Sequence, residues 1–411
     1  MNILFIHQNF PGQFKFLAPA LAQRGHNVVA TTLNKIDIKE WEGVKLWPYT
    51  IERKETPNIH PWAAEFEVKA IRAEACLKAA QGLAKEGFTP DLIIAHHGWG
   101  ESLFIKEIWP DARLGIYSEF FYHTQGADVG FDPEFPPKNT EALCRVRVKN
   151  INNLLHFEVA DAGISPTHWQ ASTFPEPFKS KITVIHDGID TDVITPNFDA
   201  KFSLNNNVTF SRKDEIITFV NRDLEPYRGY HIFMRALPEV LKRRPNASIL
   251  IAGRDGRSYG APHEGGKKWK DVLIDEVRGK ISDADWSRVY FLGKIPYNHF
   301  VTLLQISSVH VYLTYPFVLS WSLLEAMSIG CSIVASDTIP VREAIQHNKT
   351  GMLVDFFDIE QLTNQICTLL DDKKLRKKLR QNARRFAQDT YDLKKVCLPK
   401  QLAWVERLVD I

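Results

Sequence analysis

Short apolar runs recur along the chain, each next to Gly, Pro, Asp or Asn and separated from the following one by a stretch with helical spacing. The first, NILFIHQ, passes through a turn at Pro11-Gly12 into FKFLAPALAQRG, whose apolar residues return every three or four positions, and then into HNVVATT. Strand, loop, helix, strand with short connections is the signature of a parallel sheet with crossover helices. The pattern returns at DLIIAHHGWG, ARLGIYSEFFY, DAGISP and KITVIHDGID, so residues 1–190 are expected to form one doubly wound α/β domain.

The stretch TDVITPNFDAKFSLNNNVTFSRKD is polar, carries Asn205-Asn206-Asn207 and has no clear period. It is expected to connect to a second domain, residues 191–387. There the α/β alternation begins afresh with EIITFVNRD, a helix around HIFMRALPEVLKRR, then ASILIAGRDG, VYFLGKIP, SVHVYLTYP, CSIVASD and TGMLVDF. The final segment from Asp371 reads as helical throughout, and its portion from about 388 to 411 is expected to pack back on the first domain. Its basic run is expected to be a solvated helix face, with a nucleic-acid or membrane contact as the alternative.

At 411 residues the chain is about twice the usual size of one folding unit, which agrees with two cores. A hydrophobic share of 44%, a charged share of 24% and a net charge of +2 exclude a disordered chain and argue against a polyanionic partner. The five cysteines are odd in number and contain no C-x-x-C pair, as expected of free thiols in a reducing compartment. No leader sequence and no apolar run of spanning length is recognised, so the protein is expected in the cytoplasm, with peripheral contact at the inner membrane face as the alternative.

Two α/β domains imply a cleft, and in open parallel sheets ligands bind beyond the carboxyl ends of the strands. The loop after the first strand holds Gly12 just before a helix, either as a plain turn or as a place for an anion. It contains no G-x-G-x-x-G or P-loop pattern, which argues against a simple dinucleotide enzyme or P-loop NTPase. In FVNRDLEPYRGYH, Arg222 and Arg228 flank one loop; they read either as a phosphate clamp or as surface residues bridging to Asp223 or Glu225. Asp190-Thr191-Asp192 has a D-x-D form suited to Mg or Mn, but the neighbouring Asp187-Gly188 reads as a turn, and no metal is expected. Ser322-Leu323-Leu324-Glu325 fits a capping box, with Gly330 ending the helix.

Taken as a series, IAGRDG, VYFLGKIP, SVHVYLTYPFVLSWSLLEAMSIGCSIVASD and HNKTGMLVDFFD, with HDGID before them, resemble the retaining glycosyltransferases of family four. The likeness is strong in the second domain and looser in the first, where IHQNFPGQF and the pair His96-His97 carry it. It implies the GT-B architecture of two facing Rossmann-like domains, and a hexosyl- or pentosyltransferase that takes a sugar from a nucleotide-diphosphate sugar.

By that resemblance Arg222 meets the donor diphosphate. Arg228 stands near a second cationic position, as Arg where the family has Lys and one residue further along. Glu325 falls on the second glutamate of the family's E-x7-E motif, which holds the ribose; at the first glutamate this chain has Phe317. The amides of Val318, Leu319 and Ser320 are expected to line sugar and diphosphate, with Gly253 of IAGRDG also donor-side and Lys294 by the base. On the first domain Gly12 lies near the diphosphate and acceptor, and Glu119, His123 or His97 is expected to meet the donor sugar. The resemblance implies no cofactor and no metal. The acceptor is expected to be a saccharide, a lipid-linked sugar or a small aglycone, shaped by IERKETPNIHPWAAEFEVKAIRAEACL and HTQGADVGFDPEFPPKNTEALCRVRV. A GT-B epimerase or phosphorylase, or a degenerate partner subunit, is the alternative.

Overall fold

A computed structural model describes residues 1–33, 38–205 and 208–410. The chain divides into two compact units, Met1–Gly188 with Leu393–Ile411 and Ile189–Asp392. The division therefore falls after Gly188, two residues before the boundary expected from sequence, and the chain returns to the first unit at Leu393.

In the first unit the strands are β1 (Asn2–Ile6), β2 (Asn27–Thr32), β3 (Glu40–Trp41), β4 (Val44–Pro48), β5 (Leu92–Ala95), β6 (Arg113–Tyr117), β7 (Ala162–Ser165) and β8 (Ile182–Val184). Their order is β3-β4-β2-β1-β5-β6-β7-β8, parallel except for the β3–β4 hairpin. That hairpin was not expected; its turn places both Glu42 and Gly43 at positive φ, the geometry that matches strand twist.

The apolar runs are continuous because both faces of the sheet are covered. Ile3 and Phe5 of β1 pack in a cluster with Leu402, Trp404, Val405 and Leu408, whereas Leu4 and Ile6 pack on the other side with Cys76, Ala80 and Leu83. The first layer is the C-terminal helix Leu398–Asp410, and the second includes the helix Ala64–Lys85. Gly115 in β6 is required for this fit, since a Cβ there would stand 2.6 Å from the Trp404 ring.

Much of what the sequence suggested as acceptor loops is helical, in Ala64–Lys85 and Thr140–Lys149, which leaves residues 49–63 and 118–139 as the irregular segments.

The second unit opens on β9 (Lys201–Asn205) and β10 (Val208–Ser211), an antiparallel pair inside the segment expected to be an unstructured connection. Asn206 and Asn207 lie outside the described residues. The main sheet contains β11 (Glu215–Asp223), β12 (Ala247–Arg254), β13 (Val289–Gly293), β14 (Val309–Tyr312), β15 (Ile333–Ser336) and β16 (Met352–Val354). Its order is β13-β12-β11-β14-β15-β16, all parallel.

The terminal helical run is broken at Asp392, which adopts an extended ψ of 125° between the helix Lys373–Tyr391 and the π-helical segment Leu393–Cys397. Asp392 accepts a hydrogen bond from the Thr191 hydroxyl, and Ile189 N–H donates to Tyr391 O at 2.8 Å, so both ends of the second unit are tied together.

The basic run of that helix does two things. Lys373, Lys374, Lys377, Lys378 and Arg385 are exposed, as a solvated face would be. Arg376, Arg380 and Arg384, one helical turn apart, instead donate to carbonyls at the ends of three other helices. Arg376 Nη1 reaches Leu369 O and Leu370 O at 2.8 and 2.9 Å, Arg380 Nη2 reaches Ser307 O and Ser308 O at 2.7 and 3.1 Å, and Arg384 Nη1 reaches Ser328 O. Cations at helix C-termini satisfy orphan carbonyls and oppose the helix dipole. Arg380→Ala is therefore expected to lower the stability of this unit by about 2 kcal/mol, because buried acceptors lose a charged donor. An unchanged melting temperature would show that water replaces the guanidinium without cost.

Candidate functional site

The second unit gathers its candidate residues at the carboxyl ends of β11, β12, β13 and β14. Beyond β11 the chain turns sharply through Pro226–Arg228 to Gly229 at φ +70°, where a Cβ would stand 2.2 Å from the Leu313 Cβ. Only glycine fits there, and the turn carries Arg228 inward. Arg228 is 7% exposed, and its Nη1 donates to Thr314 Oγ1 at 2.7 Å and to Val318 O at 3.3 Å. Arg222, on the strand end, is exposed. The two arginines are thus not a symmetric clamp.

The carboxylates considered as their surface partners are engaged with the loop after β12. Asp223 accepts both bonds of the Arg254 guanidinium at 2.9 and 2.8 Å, as well as the Ser258 hydroxyl. Glu225 accepts from the amides of Ser258, Tyr259 and Gly260 at 3.1, 3.1 and 3.0 Å. Burial pushes the Glu225 carboxyl pKa up, the three amides pull it down and Asp223 adds to the rise; the net shift is upward.

Gly253 lets the end of β12 lie against this turn, since a Cβ would meet Leu224 Cδ2 at 2.7 Å and Asn221 O at 3.1 Å. The absence of a side chain at Gly253 thus serves close packing beneath the strand ends.

Beyond β14, Phe317 lies in an aromatic group with Tyr227 and Tyr259, ring centroids 5.4 and 5.2 Å away. The Val318 carbonyl holds Arg228, Leu319 belongs to the hydrophobic core, and the Ser320 amide donates to the Tyr312 hydroxyl at 3.1 Å. Of the amides expected to line a donor, that of Ser320 is therefore already engaged.

The following helix, Trp321–Ile329, is capped by Ser320, whose Oγ accepts from Ser322 N–H at 3.3 Å, and it ends at Gly330 with φ +74°. The capping box predicted at Ser322 does not form. Glu325 instead sits within the helix and accepts the Tyr297 hydroxyl proton at 2.5 Å. Burial and the nearby Glu325 carboxylate both push the Tyr297 pKa up. Tyr297 was not expected at the site; it begins the helix after Gly293-Lys294-Ile295-Pro296 and links that loop, with the exposed Lys294, to Glu325.

In the first unit the β1 loop folds around His7, another residue the sequence did not single out. Its Nδ1 accepts from Asn9 N–H at 3.0 Å and its Nε2–H donates to Gln13 at 2.8 Å. Burial and the neighbouring His96 lower its pKa to about 3. The ring lies against Gly12 at φ +46°, where a Cβ would come within 2.2 Å of it. Gly12 is thus needed for close approach of this ring.

The three candidates for the sugar contact separate. His97 is buried, with Nδ1 3.0 Å from Tyr117 O and Nε2 2.8 Å from Asn153 Oδ1. Burial, with His156 and His96 nearby, holds its pKa well below the ordinary value. Within this unit it is placed as a buried histidine with both ring nitrogens engaged. His123 donates from Nε2 to Thr173 O at 2.7 Å and is half-buried. The Glu119 side chain is 38% exposed, with its carboxylate 3.7 Å from Nε2 of His96. His96 stacks on Trp99 with 4.0 Å between centroids. The D-x-D carboxylate Asp190 accepts from the amides of Asp192 and Val193 at 3.2 and 3.3 Å, which closes a turn.

Two family models match the chain: "Glycosyl transferase family 4 group" over residues 24–194 and "Glycosyl transferases group 1" over residues 202–386. A D-inositol 3-phosphate glycosyltransferase of Corynebacterium efficiens is 24% identical over 315 residues, covering 74% of this chain and 68% of that one.

The chain belongs to the family-four glycosyltransferases.

Among solved structures, this glycosyltransferase is similar to sucrose-phosphate synthase from Thermosynechococcus elongatus, with a TM-score of 0.76 at 17% identity over 100% of both chains. It is also similar to Anabaena HepE, described in complex with UDP and glucose, with a TM-score of 0.65 at 17% identity over 99% of both chains. These likenesses show the GT-B fold of two Rossmann-like domains. No helix among the described residues of this glycosyltransferase is long and apolar enough to cross a membrane.

Proposed function

We propose that this glycosyltransferase moves a sugar from a nucleotide-diphosphate sugar to a hydroxyl acceptor, with retention of anomeric configuration and without a metal or other cofactor. The observation that carries the reading is the buried Arg228 guanidinium, fixed at Thr314 and Val318 beside the start of the Glu325 helix. A cation held rigidly in a low-dielectric setting is suited to charge growing on a departing diphosphate. Arg222 adds a second cation, Glu325 accepts from the ribose, and the Lys294 loop meets the base. The departing phosphate helps take the acceptor proton on the same face, so no protein nucleophile is required. The UDP named with HepE and the inositol phosphate in the name of the Corynebacterium relative support a nucleotide donor and a polyol, saccharide or lipid-linked acceptor. We place the protein in the cytoplasm, with peripheral membrane contact where the acceptor is lipid-linked.

The test is incubation with a panel of nucleotide-sugars and acceptors, with and without chelator, followed by assignment of the anomeric centre by NMR. Transfer with retention, unchanged by chelator, is expected. An epimerised donor without transfer would replace the reading with an epimerase. Glu325→Gln is expected to raise the donor KM about tenfold, with Tyr297→Phe smaller in the same direction. Because Ser320 is the cap, neither change should lower the melting temperature by more than a few degrees. A donor KM unaltered in both variants would remove the pair from the site.

A further inference from the structure

The carboxylate that the family places at residue 317 is absent, and the structure shows what occupies its neighbourhood. Phe317 is 4% exposed and packs against the rings of both Tyr227 and Tyr259, which also touch each other. Tyr259 also lies under the Arg228 guanidinium, 5.1 Å from its ring centroid, yet its own side of the group is open, with the residue 40% exposed. Its loop is not a passive connection. A fully buried carboxylate, Glu225, grips three successive amides at Ser258, Tyr259 and Gly260, and Asp223 holds the Ser258 hydroxyl. Burying a charge is costly unless its hydrogen bonds are satisfied, and here they are satisfied by the backbone that carries Tyr259. Gly256 and Gly260 permit the approach, since a Cβ would stand 2.6 Å from Asp223 Oδ1 and 3.1 Å from Glu225 Oε2.

We propose that Tyr259 is a specificity-determining contact for the donor sugar, an aromatic platform standing in for the missing carboxylate, and that Glu225 is the positioning residue that holds it beside Arg228. The proposal rests on the nucleotide-sugar reading above. An aromatic face carries negative charge density and attracts the polarised C–H bonds of a pyranose ring, whereas a carboxylate recognises a particular hydroxyl. The substrate class is therefore a nucleotide-diphosphate hexose held through its C–H face, with weak discrimination against donors that lack or invert one hydroxyl. Phe317 and Tyr259 form one arrangement: a carboxylate at 317 would be buried against two tyrosine rings.

The experiment compares affinity for a nucleoside diphosphate and for its hexose conjugates, using the full chain and its Tyr259→Ala, Tyr259→Phe and Glu225→Gln variants. Tyr259→Ala is expected to weaken the sugar conjugate by roughly five- to tenfold, leaving the nucleoside diphosphate within about twofold. Tyr259→Phe should restore the wild-type ratio, and Glu225→Gln should raise donor KM more than it lowers kcat. Glu225 is buried and its variant is open to misfolding; Tyr259 is partly exposed and keeps the test independent of that. Equal losses for diphosphate and conjugate in Tyr259→Ala, or no loss for either, would overturn the platform. Failure of wild-type protein to bind any nucleoside diphosphate would overturn the nucleotide-sugar reading itself, and the platform with it.

Discussion

Arg228→Ala is expected to lower kcat/KM by roughly a hundred- to a thousandfold, the loss found when a preorganised donor to developing charge is removed. The substitution also leaves Thr314 Oγ1 and the Val318 carbonyl without their donor and opens a void against Tyr259, so a lower melting temperature is expected alongside. Arg228→Lys separates the effects: it retains the charge but cannot present a planar fork to Thr314, Val318 and a phosphate together. It should fold close to wild type and retain an intermediate activity. Arg222→Ala, at an exposed strand end, should leave stability unaltered and weaken donor binding. Wild-type kinetics in a folded Arg228→Ala protein, checked by circular dichroism, would remove Arg228 from the site.

The second large effect is loss of stability in mild acid, centred on the first unit. Burial lowers the pKa of His7 and His186 to about 3 and that of His156 to about 4, and holds His97 well below its ordinary value. In the second unit burial lowers His310 to about 4. Each of these rings is neutral when folded but takes up a proton near pH 6.5 once unfolded, so the unfolded state binds more protons as pH falls. Stability is therefore full above about pH 6.5 and declines as pH drops toward the folded values, by up to about 1.4 kcal/mol per pH unit for each histidine. Four such groups give about 5 kcal/mol per pH unit in the first unit. Burial raises the Glu101 carboxyl, which protonates earlier in the folded state and opposes part of this loss at the acid end. Calorimetric scans from pH 8 to pH 5 should show the melting temperature falling by about 10 °C or more, given about 2–4 °C per kcal/mol for a unit of this size. A flat profile would contradict neutral burial of these rings.

Apart from the β3–β4 hairpin at one edge, the strands of both large sheets were legible as short apolar runs, and in β1 both faces are covered, as the split of Ile3 and Phe5 from Leu4 and Ile6 shows. The features that escaped notice depend on contacts distant in sequence, or on choices between similar neighbours. Ser320 and Ser322 are equally good caps by composition, and only the fold selects Ser320. His96 and His97 are adjacent, but they lie past the end of β5 in a short helical turn that sends His97 to Tyr117 and Asn153 while His96 stacks on Trp99. The break at Asp392 has no Gly or Pro to announce it; it is set by Thr191 far away in the chain. Arg222 and Arg228 look alike as a pair, and the left-handed Gly229 against Leu313 is what turns Arg228 inward. The partners of Glu225, more than thirty residues away at Ser258, Tyr259 and Gly260, carried no local signal at all. Tyr297 likewise became part of the site only through its bond to Glu325.

The central claim is sugar transfer from a nucleotide donor, and product mass analysis with pooled acceptors tests it most directly. Purified protein, each nucleotide-sugar in turn and a pool of saccharide, polyol and lipid-linked acceptors should yield one acceptor heavier by one sugar residue. Free nucleoside diphosphate should appear in equal amount, and both products should fall together in Arg228→Ala. Absence of any sugar-bearing product across the donor panel, while wild-type protein remains folded, would contradict the account.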